Sequence, residues 1–83
     1  MQIERKITGS NMTLDKGVIK RTYEIQTISL PPGIEKRLEA LGMIRGTSIT
    51  VLNRKGEGTM IVKVRGTRFA LGKGITKNIC VKE

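Results

Sequence analysis

Residues Glu35 to Leu52, EKRLEALGMIRGTSITVL, change their hydrophobic period partway along, and that change decides the fold. Ile34, Leu38 and Leu41 recur at i, i+4 and i+7, one apolar stripe of a short helix, while Glu35, Lys36, Arg37 and Glu39 point elsewhere. Beyond Gly46 the period falls to two, with Ile49 and Val51 alternating against Ser48 and Thr50. Gly42 supplies the left-handed residue that commonly ends a helix. The segment between the two glycines is therefore an elbow that turns a helix into a strand.

Working upstream, Leu30-Pro31-Pro32-Gly33 breaks any ladder, because proline has no N–H to donate. Proline suits the first helical turn, where that N–H would be orphaned. The helix is expected to start near Pro32 and to run for about two turns. Thr22 to Ile28, TYEIQTI, is rich in β-branched residues and places Tyr23 and Ile25 on one side, which predicts a strand. Met12 to Val18, with Asp15 and Gly17, reads as irregular. The first eleven residues end in the loop cluster Gly9-Ser10-Asn11 and form either an N-terminal arm or an extra strand, set apart from a domain over 12–83.

Downstream, Gly56-Glu57-Gly58 is a turn, and Met60, Val62 and Val64 face inward opposite Ile61, Lys63 and Arg65, which makes a hairpin. Gly66-Thr67 turns again into Arg68 to Leu71, with Phe69 and Leu71 apolar. Gly72-Lys73-Gly74 leads by Ile75 to a last strand over Asn78 to Lys82, with Ile79 and Val81 on one face. The pattern predicts a mainly β fold: a small antiparallel barrel of about five strands with one short helix, an arrangement that closes most sheet edges.

The chain has 83 residues and so fits one domain with a thin interior. Aromatics are only 2% of it, so Ile, Val, Leu and Met must fill the core. The formal net charge of +9 implies attraction to an anionic partner. The surplus lies in the second half: from Leu41 to Lys82 the basic residues are Arg45, Arg54, Lys55, Lys63, Arg65, Arg68, Lys73, Lys77 and Lys82, against Glu57 alone. Cys80 is the only cysteine, which excludes an internal disulfide and fits a reducing compartment. No stretch approaches the about eighteen apolar residues of a membrane span, and Met1 to Thr8 has no signal-peptide apolar core.

Catalysis finds little to work with. There is no histidine, so the commonest general base and metal ligand is missing, and Cys80 has no imidazole to activate it. The carboxylates are scattered and the thiol is single, which does not make a metal cage; no cofactor is expected. Gly72-Lys73-Gly74 imitates the end of a P-loop, but that motif needs glycine at position 67 and serine or threonine at 74, where Thr67 and Gly74 stand. A turn between strands is the simpler account.

Arg37-Leu38-x-x-Leu41-Gly42-Met43-Ile44-x-Gly46, the strand Thr47 to Leu52, then Val64-x-Gly66-Thr67-Arg68-x-Ala70-Leu71 and Ile79-x-Val81 together resemble the FeoA family of ferrous iron transport proteins. The resemblance covers roughly Met12 to Val81. It implies an SH3-like barrel and a cytoplasmic accessory role, peripheral to the membrane through FeoB, the ferrous iron transporter whose GTP-binding domain faces the cytoplasm. Departures are the Ile19-Lys20 pair where family members usually carry Pro-Gly, and Gly74 to Lys77 where an acidic helical stretch is common. The leader has no obvious counterpart. The same domain ends metal-dependent repressors, but the chain has no room for their DNA-binding helices, which implies a stand-alone module.

The expected partner surface is the elbow. Leu41 is read as half core, Met43 and Ile44 as exposed beside Arg45, and Arg65 and Arg68 as basic contacts, a mix suited to an interface centre. The other reading of Met43 and Ile44, as caps on the barrel's open end, stays open. With one Tyr and one Phe the barrel cannot line an aromatic groove for PxxP peptides, and a poor ligand set argues against tight iron binding. The rival reading is a basic RNA-binding or ribosome-associated module, which predicts steep salt dependence.

Overall fold

The computed structural model describes residues 11–83, and what was expected of Met1 to Ser10 lies outside the described residues. Strand β1 (Met12–Thr13) leads through a 3₁₀ turn at Leu14–Lys16 to β2 (Thr22–Ile28), helix α1 (Pro32–Ala40), β3 (Ser48–Lys55), β4 (Thr59–Val64), β5 (Thr67–Leu71), the single-turn helix α2 (Lys73–Thr76) and β6 (Ile79–Lys82). The strands form one antiparallel sheet in the order β1-β6-β2-β3-β4-β5. Among the described residues no ladder joins β1 to β5, so the barrel's hydrogen bonding stays open there.

The alternation expected from sequence holds strand by strand. Tyr23 and Ile25 of β2, Ile49 and Val51 of β3, Met60, Val62 and Val64 of β4, Leu71 of β5, and Ile79 and Val81 of β6 are buried together with Leu14, Leu38 and Met43. Cys80 points to the other face of β6 and is half-buried. Both aromatics belong to the interior: Phe69 packs against the core, and the buried Tyr23 brings its hydroxyl 2.8 Å from the Val18 N–H, from which it accepts a hydrogen bond.

Three expectations need correction. Met12 and Thr13 are not irregular, because they pair with Val81 and Cys80 of β6 and bring the count to six strands. Gly72 to Ile75 is not a simple turn: the chain winds into α2, with Asn78 Nδ2 donating to the Gly74 carbonyl at 2.9 Å. The last strand accordingly begins at Ile79.

Two bulges bend the sheet. One falls between Ile25 and Thr27 of β2 and the other between Val51 and Asn53 of β3. An extra residue at Leu52 sets Leu52 and Asn53 together against Ile61 and re-aims the rest of the strand. Arg54 then reaches the far segment, where its Nη2 donates to the carbonyls of Asp15 at 2.8 Å and Gly17 at 2.6 Å.

Candidate functional site

Helix α1 ends in two backbone bonds that fix the elbow. The Gly42 N–H donates to the Glu39 carbonyl at 2.9 Å, and the Met43 N–H to the Leu38 carbonyl at 2.9 Å. With Gly42 at φ +96 this is a Schellman motif, whose usual accompaniment is an apolar contact between the residue after the glycine and the one five positions earlier. Here those residues are Met43 and Leu38, both in the core. Met43 is 0% exposed, so the expectation that it stands on the surface is corrected: the helix cap turns it inward.

Past Met43 the chain makes a β-turn, the Thr47 N–H donating to the Ile44 carbonyl at 3.0 Å with Gly46 at φ +89 in the position where a type II turn demands a positive angle. Two further bonds tie the turn to β2, from the Gly46 N–H to the Ile25 carbonyl at 2.8 Å and from the Ile25 N–H to the Thr47 carbonyl at 2.9 Å. Anchored on both sides, the turn holds Ile44 outward at 42% exposure beside exposed Arg45, and Leu41 stands 43% exposed at the end of α1. Leu41 is thus more surface than core.

Between the elbow and the bulged stretch of β2 lies a cleft of about 280 Å³. Ile25, Gln26, Thr27 and Ile28 form one wall, Glu35 and Glu39 of α1 the other, with Met43, Ile44 and Arg45 completing it. Sequence reasoning missed Glu35, Glu39, Gln26 and Thr27 as parts of this site. The two glutamates, spaced i and i+4, carried a usable signal of a shared helix face. The bulge that turns Gln26 toward the cleft carried none.

Arg65 and Arg68 part company. Arg65 lies against the elbow: a Cβ added to Gly42 would sit 3.1 Å from its Cδ. Its guanidinium therefore stands near the C-terminal end of α1, where a positive charge is favourable. Arg68 instead lines a second cleft, of about 370 Å³, with Leu52, Asn53, Lys55 and Ile61. Leu41, Ile44 and Arg45 stand exposed along the elbow and Arg65 lies over Gly42; Met43 is buried and Arg68 belongs elsewhere.

Among the described residues the one ion pair is Arg21 with Glu83, at 3.4 Å and exposed; no group of three or more His, Cys, Asp or Glu residues is placed to hold a metal ion. No described helix is long and apolar enough to cross a membrane.

Comparison with known proteins gives a consistent picture. No curated protein matches the sequence. Among solved structures, an iron uptake regulatory protein (FeoA) is 26% identical with a TM-score of 0.78, over 87% of this chain and 96% of that one. FeoA of Stenotrophomonas maltophilia, complexed with zinc and described as a prokaryotic SH3 domain protein, is 26% identical with a TM-score of 0.72, over 86% and 89%. A manganese-dependent transcriptional repressor shares the fold at 20% identity and a TM-score of 0.81, over 93% of this chain but 44% of its own. The barrel is SH3-like, and the FeoA domain family model matches residues 12–83. The chain belongs to the FeoA family, small accessory domains associated with ferrous iron transport.

Proposed function

We propose that the protein is a non-enzymatic cytoplasmic accessory of ferrous iron uptake, which docks by its elbow on cytoplasmic parts of a FeoB-type transporter and modulates transport or the GTP cycle. Membership of the family supports the transport role. One observation supports the elbow as the docking surface: two large aliphatic side chains, Leu41 and Ile44, stand 43% and 42% exposed on a rigid turn, with Arg45 next in sequence and Arg65 lying over Gly42. Exposed apolar groups flanked by arginine match the make-up of an interface centre. The glutamates across the cleft add the opposite sign, so the partner surface should carry both charges around an apolar contact.

Retention of the purified protein by detergent-solubilised transporter tests this, with ferrous uptake and GTP hydrolysis measured alongside. A Leu41→Asp, Ile44→Asp variant changes exposed positions and should fold; it is expected to lose retention and any effect on uptake. Equal retention of wild type and variant would remove the elbow as the docking surface. Met43 is unsuitable for this purpose, because a charge there would strike the core.

A further inference from the structure

Arg68 marks a surface that the elbow does not use. Arg65 and Gly66, both with positive φ (52 and 85), join β4 to β5, and Val64 opposite Thr67 is the first pair of the ladder. A two-residue turn of this hand closes on a hydrogen-bonded pair, and such pairs alternate with unbonded ones along an antiparallel ladder. Thr67, Phe69 and Leu71 therefore bond to β4. Arg68 and Ala70, opposite Lys63 and Ile61, turn their N–H and C=O groups away from it. Among the described residues no strand pairs with β5 on that side, and both residues are exposed.

The side chains beside that edge are cationic. Thr50, Lys63 and Arg68 stand in one row across β3, β4 and β5, and Lys63 and Arg68 face each other directly, a placement in which like charges repel. Among the described residues neither has an ion-pair partner. Lys55 joins Arg68 in lining the adjacent cleft, where Leu52 and Ile61 supply apolar surface.

We propose that β5 accepts an extended acidic peptide segment as an added strand. Its main chain bonds to the outward groups of Arg68 and Ala70, and a carboxylate opposite Arg68 relieves the repulsion with Lys63. Strand addition takes affinity from main-chain bonds and selectivity from alternate side chains. A second copy of the chain is disfavoured, since pairing β5 with β5 would bring two cationic rows together, a device that guards edges against self-association. Single-stranded nucleic acid is disfavoured as well, because base stacking needs exposed aromatics and Tyr23 and Phe69 both serve the core.

The test is a titration of the ¹⁵N-labelled full chain with a blocked peptide alternating glutamate and threonine. Its controls are two analogues, N-methylated on the odd or on the even amides, and a thymidine oligonucleotide. The expected result is amide shifts centred on Arg68 and Ala70, with binding weakened roughly tenfold by N-methylation in one of the two registers, the one whose amides face β5, and similarly by Arg68→Glu, whose spectrum reports that the fold is kept. Both N-methylated registers binding as well as the parent would overturn strand addition in favour of plain charge attraction. Tighter binding of the oligonucleotide, self-association through β5, or no shifts at millimolar peptide would each overturn the assignment too.

Discussion

Lys20 sits at φ +76, a left-handed conformation that side chains other than glycine rarely adopt. It occupies the third position of a turn closed by the Arg21 N–H donating to the Val18 carbonyl at 3.1 Å, and its own N–H donates to the Val51 carbonyl at 2.6 Å. A Pro-Gly pair, which the family resemblance leads one to expect at Ile19-Lys20, is the natural filling of the middle of such a turn. Lys20→Gly should keep both bonds, relieve the strain and raise stability by up to about 1 kcal/mol; a lower urea midpoint than wild type would contradict this. The strained site was visible in the sequence only as a departure from a pattern. Met43 shows the opposite case. Its burial depends on the bond it makes back to Leu38, and an apolar residue after a helix-ending glycine is equally compatible with a surface contact until that cap is seen.

At the scale of elements, legibility followed length and periodicity. β2, α1, β3 and β4 each offer several alternating or helically spaced apolar residues, and the sequence placed β2, α1 and β4 to within a residue or so of their observed ends, while β3, read as Thr47 to Leu52, runs on past its bulge to Lys55. β1 has two residues and α2 has four, too few to display a period, and each exists because of what it packs against. The bulge at Leu52 was also hidden, since it is defined by register with β4 and not by composition. It has an energetic role through Arg54, whose guanidinium satisfies the carbonyls of Asp15 and Gly17. Arg54→Met keeps the stem and removes both bonds. It is expected to lower unfolding free energy by about 1–3 kcal/mol, checked by urea denaturation, and a change within a few tenths of wild type would show that water replaces the guanidinium without loss.

For the whole molecule, the barrel was foreseeable from the number of short strands and glycine turns, whereas the candidate site was foreseeable only in part. Leu41, Ile44 and Arg45 do stand exposed along the elbow, with Arg65 over Gly42, but Arg68 is carried to the outer face of the β3–β5 sheet, because Arg65 lies in the hairpin turn itself whereas Arg68 stands in β5 opposite the exposed Lys63. Charge acts at this scale too. With a formal net charge of +9 and one exposed ion pair among the described residues, self-repulsion should oppose the folded state. Raising sodium chloride from about 0.05 M to about 0.5 M shortens the screening length roughly threefold and should raise the urea midpoint; a fall would mean that attractive pairs outweigh the repulsion.

The bare hydrogen on Gly42 leaves the track along which the arginine stem of the neighbouring hairpin lies, 3.1 Å from where a methyl would begin. Helix ending and hairpin tip are in this way parts of one hinge pin. A methyl at that glycine would both oppose the helix's reversal and push the guanidinium aside, so the reach of a distant positive group is governed by the smallest residue in the chain.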